Sequence, residues 1–310
     1  MREIDLAIIG AGVAGLTAAT EAARAGVSVL VIERLGAGGQ VMTVDHIDNF
    51  TGHPEGISGY ELGPLLQEQA EAAGVSFTLD TVEAIGGGAD RRHWLRCTGD
   101  TIAARAVLVA AGSARRQLGV PGEGPLQGRG VSHCASCDGP LFRNVPLCVV
   151  GGGDSAFGEA LVLAPYASRL TLVFREDQAH AQVHLVRAMT ALDHVELVAG
   201  AQVIEITGGG EAVGVTGLVL RQGDLPVRHL PAAGVFVYAG LQAQSAFLGN
   251  VLRLDANGRI ETDAALCSSV PGIFAAGDIR AGADYRLAAA AADGAAAALS
   301  ACRYLKHAAS

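Results

Sequence analysis

Residues 133 to 140 read HCASCDGP: Cys134 and Cys137 stand two small residues apart, and a carboxylate, Asp138, follows at once. Thiols at this spacing can ligate a metal, staple the chain or carry electrons. A structural zinc site needs a second ligand pair; the chain has no second Cys-x-x-Cys, and His133, adjacent to Cys134, would make a strained third ligand. No metal is expected. The remaining cysteines, Cys97, Cys148, Cys267 and Cys302, are scattered singly in apolar or mixed stretches and read as small core residues. Electron transfer suits the pair better. At a helix start the dipole lowers a thiol pKa, and two residues of separation let the sulfurs close into a disulfide with little movement. Asp138 is then either a general acid and base for the sulfurs or a helix-cap carboxylate.

Such a loop needs a scaffold and a source of electrons. The run IDLAII at 4–9 ends in GAGVAG, continues as the Ala-rich TAATEAARAG and is followed by VSVLVIE, which ends at Glu33. Strand, glycine turn, helix and strand, with an acid about twenty residues on, are the parts of a dinucleotide-binding unit. Gly10 makes the tight turn, Gly12 lets the backbone approach a pyrophosphate, and Gly15 lets helix and strand pack. The helix N-terminus offers N–H groups to phosphate, and Glu33 can accept from ribose hydroxyls. A second unit follows the cysteines: VPLCVVGGG, DSAFGEALVLAPYA and RLTLVFRE, with Gly151, Gly153 and Ala156 in the small-residue positions.

The whole chain accommodates both. Its 310 residues exceed one compact core and suit two domains. Half are hydrophobic, yet no apolar run is long enough to cross a bilayer, and the first ten residues enter a strand with no cleavable signal pattern; a cytosolic location is expected, with no membrane partner. Twenty-two basic residues against 31 acidic, net −9, argue against nucleic acid. Between the units lie strands in VSFTLDTVEAI, HWLRCTG and AVLVAAGSARR, then LGVPGEGPLQGRG, whose Gly and Pro content reads as a linker. VFVYAGLQAQ forms a second glycine-rich return. VPGIFAAGDI then leads to an alanine-rich helix from about Leu287 to Leu305. The expected fold is α/β: two Rossmann-like three-layer dinucleotide-binding domains, the second inserted in the first, over 1–115, 116–243 and 244–310.

GAGVAG, the GGQ at 38–40, IDNFTG at 47–52, CASCDG at 134–139, GGGDSA at 151–156 and GIFAAGD at 272–278 follow one another in the order and spacing of the low-molecular-weight thioredoxin reductases, which the chain resembles over essentially its whole length. The Cys-Ala-x-Cys-Asp-Gly element before the second glycine turn is the specific part, since other flavin disulfide reductases carry their cysteines in the first domain. The resemblance implies a homodimeric flavoenzyme. FAD is held by Gly10, Gly12, Ala14, Gly15, Glu33, Gln40, Asn49, Val82, Ala111, Gly112, Gly277, Asp278, Arg286 and Leu287, with Asp278 on the ribityl chain. Electrons pass to a Cys134–Cys137 disulfide and on to thioredoxin or a thioredoxin-like disulfide, with Asp138 as acid and base. The inserted domain rotates about hinges near 114–118 and 242–246.

Departures from the family pattern concern the electron donor. Gly151, Gly153, Asp154, Ser155, Ala156, Arg175 and Glu176 are the candidates for holding a nicotinamide cofactor. NADPH-dependent members carry a His-Arg-Arg run and a later Arg for the 2′-phosphate. Here the positions read Phe174, Arg175, Glu176 and then Ala179, His180. Glu176 would repel a phosphate and suits a free ribose diol, so NADH competes with NADPH as the expectation. The family's Gly-His-x-Pro-Asn is Gly240, Leu241, Gln242, Ala243, Gln244, and its Arg-Gln pair is Arg286, Leu287. A ferredoxin-type donor, a dithiol oxidase that uses oxygen and a flavin-binding sensor without turnover are the alternatives. The intact Cys-Asp-Gly leans toward reduction.

Overall fold

The structure, a computed structural model, describes residues 2–44, 46–47, 49–87, 92–209 and 214–307. Within IDNFTG, Asp48 lies outside the described residues. The chain divides into two compact units, 1–114 with 242–310, and 115–241. The crossings fall one and two residues before the boundaries read from the sequence, inside the short strands Ser113–Arg115 and Leu241–Ala243.

In the first unit the strands Ser76–Leu79, Val29–Glu33, Arg2–Ile9 and Thr101–Val109 lie side by side and parallel. The nine-residue strand Thr101–Val109 pairs along its first half with antiparallel His93–Cys97, and along its last three residues with parallel Ile273–Ala275. The apolar runs of the inner strands feed two cores by alternation. Leu6, Ile8, Val29 and Val31 face the helices Val13–Arg24 and Leu287–His307, while Ala7, Ile9, Leu30 and Ile32 face Ile85, Leu95, Leu248 and Ile260. Burial on both faces is what unbroken apolar parallel strands require. The two helices touch closely: a Cβ on Gly294 would stand 2.2 Å from the Ala14 carbonyl oxygen.

The second unit has a five-stranded parallel sheet in the order Val195–Val198, Ala167–Val173, Val145–Val150, Gly234–Val237 and Val131–Ser132. One face packs Leu147, Val149, Leu170, Leu172 and Phe236 on Phe157, Ala160, Leu163 and Met189. The other packs Cys148, Val150, Val235 and Val237 on an antiparallel layer of Gln202–Gly208, Val215–Arg221 and Arg228–Pro231.

Several sequence expectations need correction. The segment at 118–130 is no linker: Leu126 is buried in the second unit's core, and the buried Glu123 carboxylate accepts the N–H groups of Leu118 and Gly119 at 2.9 and 2.8 Å. VSFTLDTVEAI forms two strands, Ser76–Leu79 and Val82–Gly87, because Asp80 turns the chain and accepts N–H groups from Thr81 and Gly99. Cys97, Cys148 and Cys302 are buried, but Cys267 is half-buried at the fringe of the first core.

Candidate redox site and dinucleotide cradles

The strand Val131–Ser132, at the sheet edge, delivers the chain directly to the cysteines. Cys134 and Cys137 are joined by a disulfide with Cα atoms 5.4 Å apart. Between them begins the single-turn helix Ala135–Asp138, and Cys134 is its N-cap: its sulfur accepts the Cys137 N–H at 3.2 Å. Cys134 is half-buried and Cys137 exposed. Asp138 is no N-cap. Its Oδ2 accepts the Ser132 hydroxyl at 2.6 Å, and the Ser132 oxygen in turn accepts the Cys134 N–H at 3.1 Å. One serine therefore ties the carboxylate to the backbone of the first cysteine.

Behind the loop stands a second carboxylate that the sequence reading did not single out. Glu159, on the helix Asp154–Leu163, accepts through one oxygen both the Ala135 N–H and the Tyr238 hydroxyl, each at 3.2 Å. Burial, and then the Glu159 charge, push the Tyr238 phenol well above its usual range, so it stays a donor. His133 is tied to its surroundings at both ends: its Nδ1 contacts the Val237 carbonyl at 2.9 Å, and its own carbonyl accepts from Arg115.

The first glycine turn fits a dinucleotide. A Cβ on Gly10 would stand 2.5 Å from the Ala110 oxygen and one on Gly15 2.0 Å from the Gly10 oxygen, whereas at Gly12 it would meet nothing within 4 Å. Two glycines close the fold and the third opens it. The helix Val13–Arg24 has no side-chain cap and no acid in its first turn, which leaves its N–H groups for phosphate, and Ala14 lies buried inside that turn. Glu33 is locked: Oε2 accepts from Ala11 at 2.8 Å, and Oε1 from Arg34 and Leu35 at 2.7 and 2.9 Å.

At the far end of this cradle, Gln40 donates to the Ser113 hydroxyl and carbonyl at 2.8 and 3.0 Å and to Asp278 at 3.4 Å, and Ser113 donates to Asp278 at 3.2 Å. Burial, reinforced by Asp293 against the pull of Ser113, pushes the Asp278 carboxyl up. The Gly277 N–H bonds Asp293, which also grips Arg280. Ala111 and Gly112 run beside this cluster, where the Gln244 side chain holds the Ala111 carbonyl at 2.9 Å. Gln244, read as a departure, thus secures the cradle wall. Val82 is buried in the sheet and Asn49 is exposed. Arg286 is exposed, and Leu287 packs on the cluster of Val13, Val41 and Leu62.

The second turn is built differently. A Cβ on Gly151 would stand 2.3 Å from the Tyr238 carbonyl, and at Gly153 it would meet nothing within 4 Å. Ala156 is buried, and Ser155 is exposed in the first turn of the helix. Asp154 also lies in that turn, but Gln182 binds both its oxygens, through N–H and Nε2, at 2.7 Å. Phe174 is a core residue against Phe157, so it cannot present a polar group to a ligand. Glu176 is half-buried with Oε2 3.4 Å from the Cβ position of Gly152, and Arg175 is exposed, its guanidinium 4.0 Å from Glu176. His180 is exposed, and its N–H bonds the Gly152 carbonyl.

A family model described as pyridine nucleotide-disulphide oxidoreductase matches residues 4–295. The chain belongs to this family. The thioredoxin reductase of Treponema pallidum (strain Nichols) is 36% identical to it over 303 residues, 98% of this chain and 97% of the relative. That of Listeria monocytogenes serovar 1/2a is 37% identical over 302 residues, 97% and 94% of the two chains. Among solved structures, Lactococcus lactis thioredoxin reductase matches with a TM-score of 0.91 at 33% identity, covering 98% of this chain and 99% of its own. A ferredoxin-flavin thioredoxin reductase from Clostridium acetobutylicum also matches, at 28% identity and a TM-score of 0.54, over 99% of both chains. As a pyridine nucleotide-disulphide oxidoreductase with these relatives, the chain is an FAD-dependent enzyme acting on disulfides. Among the described residues no helix is long and apolar enough to cross a membrane.

The site residues that sequence reasoning missed are Ser132, Ser113, Gln182, Glu159 and Tyr238. Ser132 and Ser113 had a local signal, each being a hydroxyl next to a motif. Glu159 and Tyr238 had none, since they reach the loop only through the fold.

Proposed function

We propose that the chain is a thioredoxin reductase in which electrons pass through FAD to the Cys134–Cys137 disulfide and then to thioredoxin or a thioredoxin-like protein disulfide. The observation that carries the reading is the Cys134–Cys137 bond at a helix start, with the Asp138 carboxylate held beside it by Ser132. FAD, when bound, supplies a two-electron store that can be reduced by a donor and can reduce a disulfide. The chain's residues do the rest. Gly10, Gly12, Ala14, Gly15 and Glu33 would hold its adenosine and pyrophosphate, and Gln40, Asn49, Val82, Ala111, Gly112, Gly277, Asp278, Arg286 and Leu287 would frame the remainder. Once the disulfide is opened, the Cys137 N–H steadies the Cys134 thiolate. One thiolate attacks the external disulfide, the other resolves the mixed disulfide, and Asp138 delivers and recovers the proton.

For the donor, the second glycine turn with Glu176 beside Gly152 supports NADH: the acid accepts from a free ribose diol and repels a 2′-phosphate. Gly151, Gly153, Asp154, Ser155, Ala156 and Arg175 complete that site. A ferredoxin-type donor is the second reading, favoured by Phe174 being committed to the core and by the Clostridium relative. The family resemblance further supports a cytoplasmic homodimer whose inserted unit turns about hinges near 114–118 and 242–246. Anaerobic mixing with NADH, and separately with NADPH, tests the donor through flavin absorbance. Fast bleaching by NADH with NADPH much slower is expected; no bleaching by either, in a protein that dithionite reduces, would hand the role to another donor.

A further inference from the structure

The carboxylate of Glu159 and the hydroxyl of Tyr238 meet at the N–H of Ala135, the residue that follows Cys134 inside the redox loop. Ala135 is fully buried, so its N–H has no route to water and its acceptor is Glu159. This N–H belongs to the first turn of the helix whose open end faces the Cys134 sulfur. The Cys137 N–H bonded to that sulfur favours a thiolate, and the negative charge of a carboxylate bonded to the neighbouring Ala135 N–H offsets that preference.

We propose that Glu159 and Tyr238 are positioning residues that set the basicity of the Cys134 thiol: Glu159 raises it by placing a negative charge against the loop, and Tyr238 tempers that charge by donating to it. The proposal rests on the reading of Cys134–Cys137 as the redox pair. The charged and titratable groups that face the loop are Asp138 through Ser132, Glu159 from the helix behind it, Tyr238 from the end of the strand Gly234–Val237, and His133 with Arg115, whose guanidinium bonds the His133 carbonyl. Asp138 is reached through Ser132 from the other end of the loop, so the two carboxylates contact it through separate donors. An acceptor that merely satisfied the Ala135 N–H would be served by any neutral oxygen. A carboxylate that also takes a phenol hydroxyl adds a charge whose strength the phenol adjusts.

The test uses the FAD-loaded protein reduced with dithiothreitol. Two electrons from dithiothreitol, which closes to its cyclic disulfide, break the Cys134–Cys137 bond and give two thiols; excess reductant is then removed and iodoacetamide alkylation at Cys134 is followed by mass spectrometry as a function of pH. In Glu159→Gln the midpoint of the profile is expected to fall by about one pH unit. Below the midpoint the thiolate fraction rises about tenfold, and its lower nucleophilicity trims the gain to about threefold in rate. In Tyr238→Phe the profile is expected to move the opposite way, and the double variant to follow Glu159→Gln, because Tyr238 acts through the carboxylate. Midpoints unchanged in both variants, or moved in the same direction in both, would overturn the proposal. Failure of the redox-pair reading looks different: Cys134 and Cys137 would then gain no alkylable thiols when electrons are delivered through the flavin, whatever their pH profile.

Discussion

At the first glycine turn the acid after the second strand is fixed before any cofactor arrives: three backbone N–H groups, from Ala11, Arg34 and Leu35, hold the two Glu33 oxygens. At the second turn Glu176 is half-buried and its cationic neighbour Arg175, 70% exposed, stands 4.0 Å away. The helix starts differ likewise. The first has no acid in its opening turn, while the second carries Asp154, tethered to Gln182. Both turns descend from the same strand-glycine-helix logic, yet one is pre-organised and the other is open. Pre-organisation lowers the cost of holding a ligand and suits a cofactor that stays; an open acid suits one that exchanges at each turnover.

The largest contrast should come from the glycines. Gly15→Ala drives a Cβ to 2.0 Å from a backbone oxygen that cannot swing away, whereas Gly153→Ala meets nothing within 4 Å. Overpacking of this kind costs about 1–3 kcal/mol or more, which for units of this size lowers Tm by several degrees. Gly15→Ala is therefore expected to unfold earlier and to lose FAD, and Gly153→Ala to keep both its Tm and its flavin-to-protein absorbance ratio. Equal effects would erase the contrast.

Next in size is the pair of acids. Glu33→Gln removes the charge from three N–H bonds, each worth about 1.5–3 kcal/mol when charge-assisted and less when neutral. A loss of roughly tenfold or more in FAD affinity is expected by equilibrium titration of the apoprotein. Glu176→Gln should leave FAD binding and Tm untouched and raise the rate of flavin bleaching by NADPH relative to NADH. Loss of FAD from the second variant would mean that the two turns are not specialised in this way.

The smallest effect concerns acid stability of the first unit. His93 is 5% exposed, and among the described residues neither ring nitrogen has a partner in hydrogen-bond geometry. Burial lowers its pKa below the ordinary 6.5, partly offset by the nearby Pro271 carbonyl. The unfolded chain then binds a proton that the folded ring resists. The stability this ring contributes is present above about pH 6.5 and is lost as pH falls from there through the folded pKa. His194 of the second unit, by contrast, has a carbonyl partner at 3.0 Å. Thermal melts from pH 7 to pH 5 should fall less steeply in His93→Leu than in the parent, and parallel slopes would remove His93 from the account.

Both turns and the cysteine loop were legible in the sequence because each is local: glycines, apolar runs and a Cys-x-x-Cys are read within a few residues of one another. The nine-residue strand that pairs on one side with two different partners was not, because pairing is a property of the sheet. Gly and Pro mark where the chain turns but not whether the turn is packed, which is how 118–130 passed for a linker while Leu126 and Glu123 are buried. Phe174 read as a lost ligand and is a core residue; Gln244 read as a departure and holds the Ala111 carbonyl. Glu159 lies 24 positions beyond Ala135 and Tyr238 lies 79 beyond Glu159, so no spacing announces their meeting.

The central claim is that Cys134 and Cys137 exchange electrons with the bound flavin. Anaerobic dithionite titration of the FAD-loaded protein tests it most directly: the parent should take up about four electrons per chain before bleaching is complete, two in the flavin and two in the disulfide, and Cys137→Ser about two. Complete bleaching of the parent at two electrons, with Cys134 and Cys137 still joined, would contradict it.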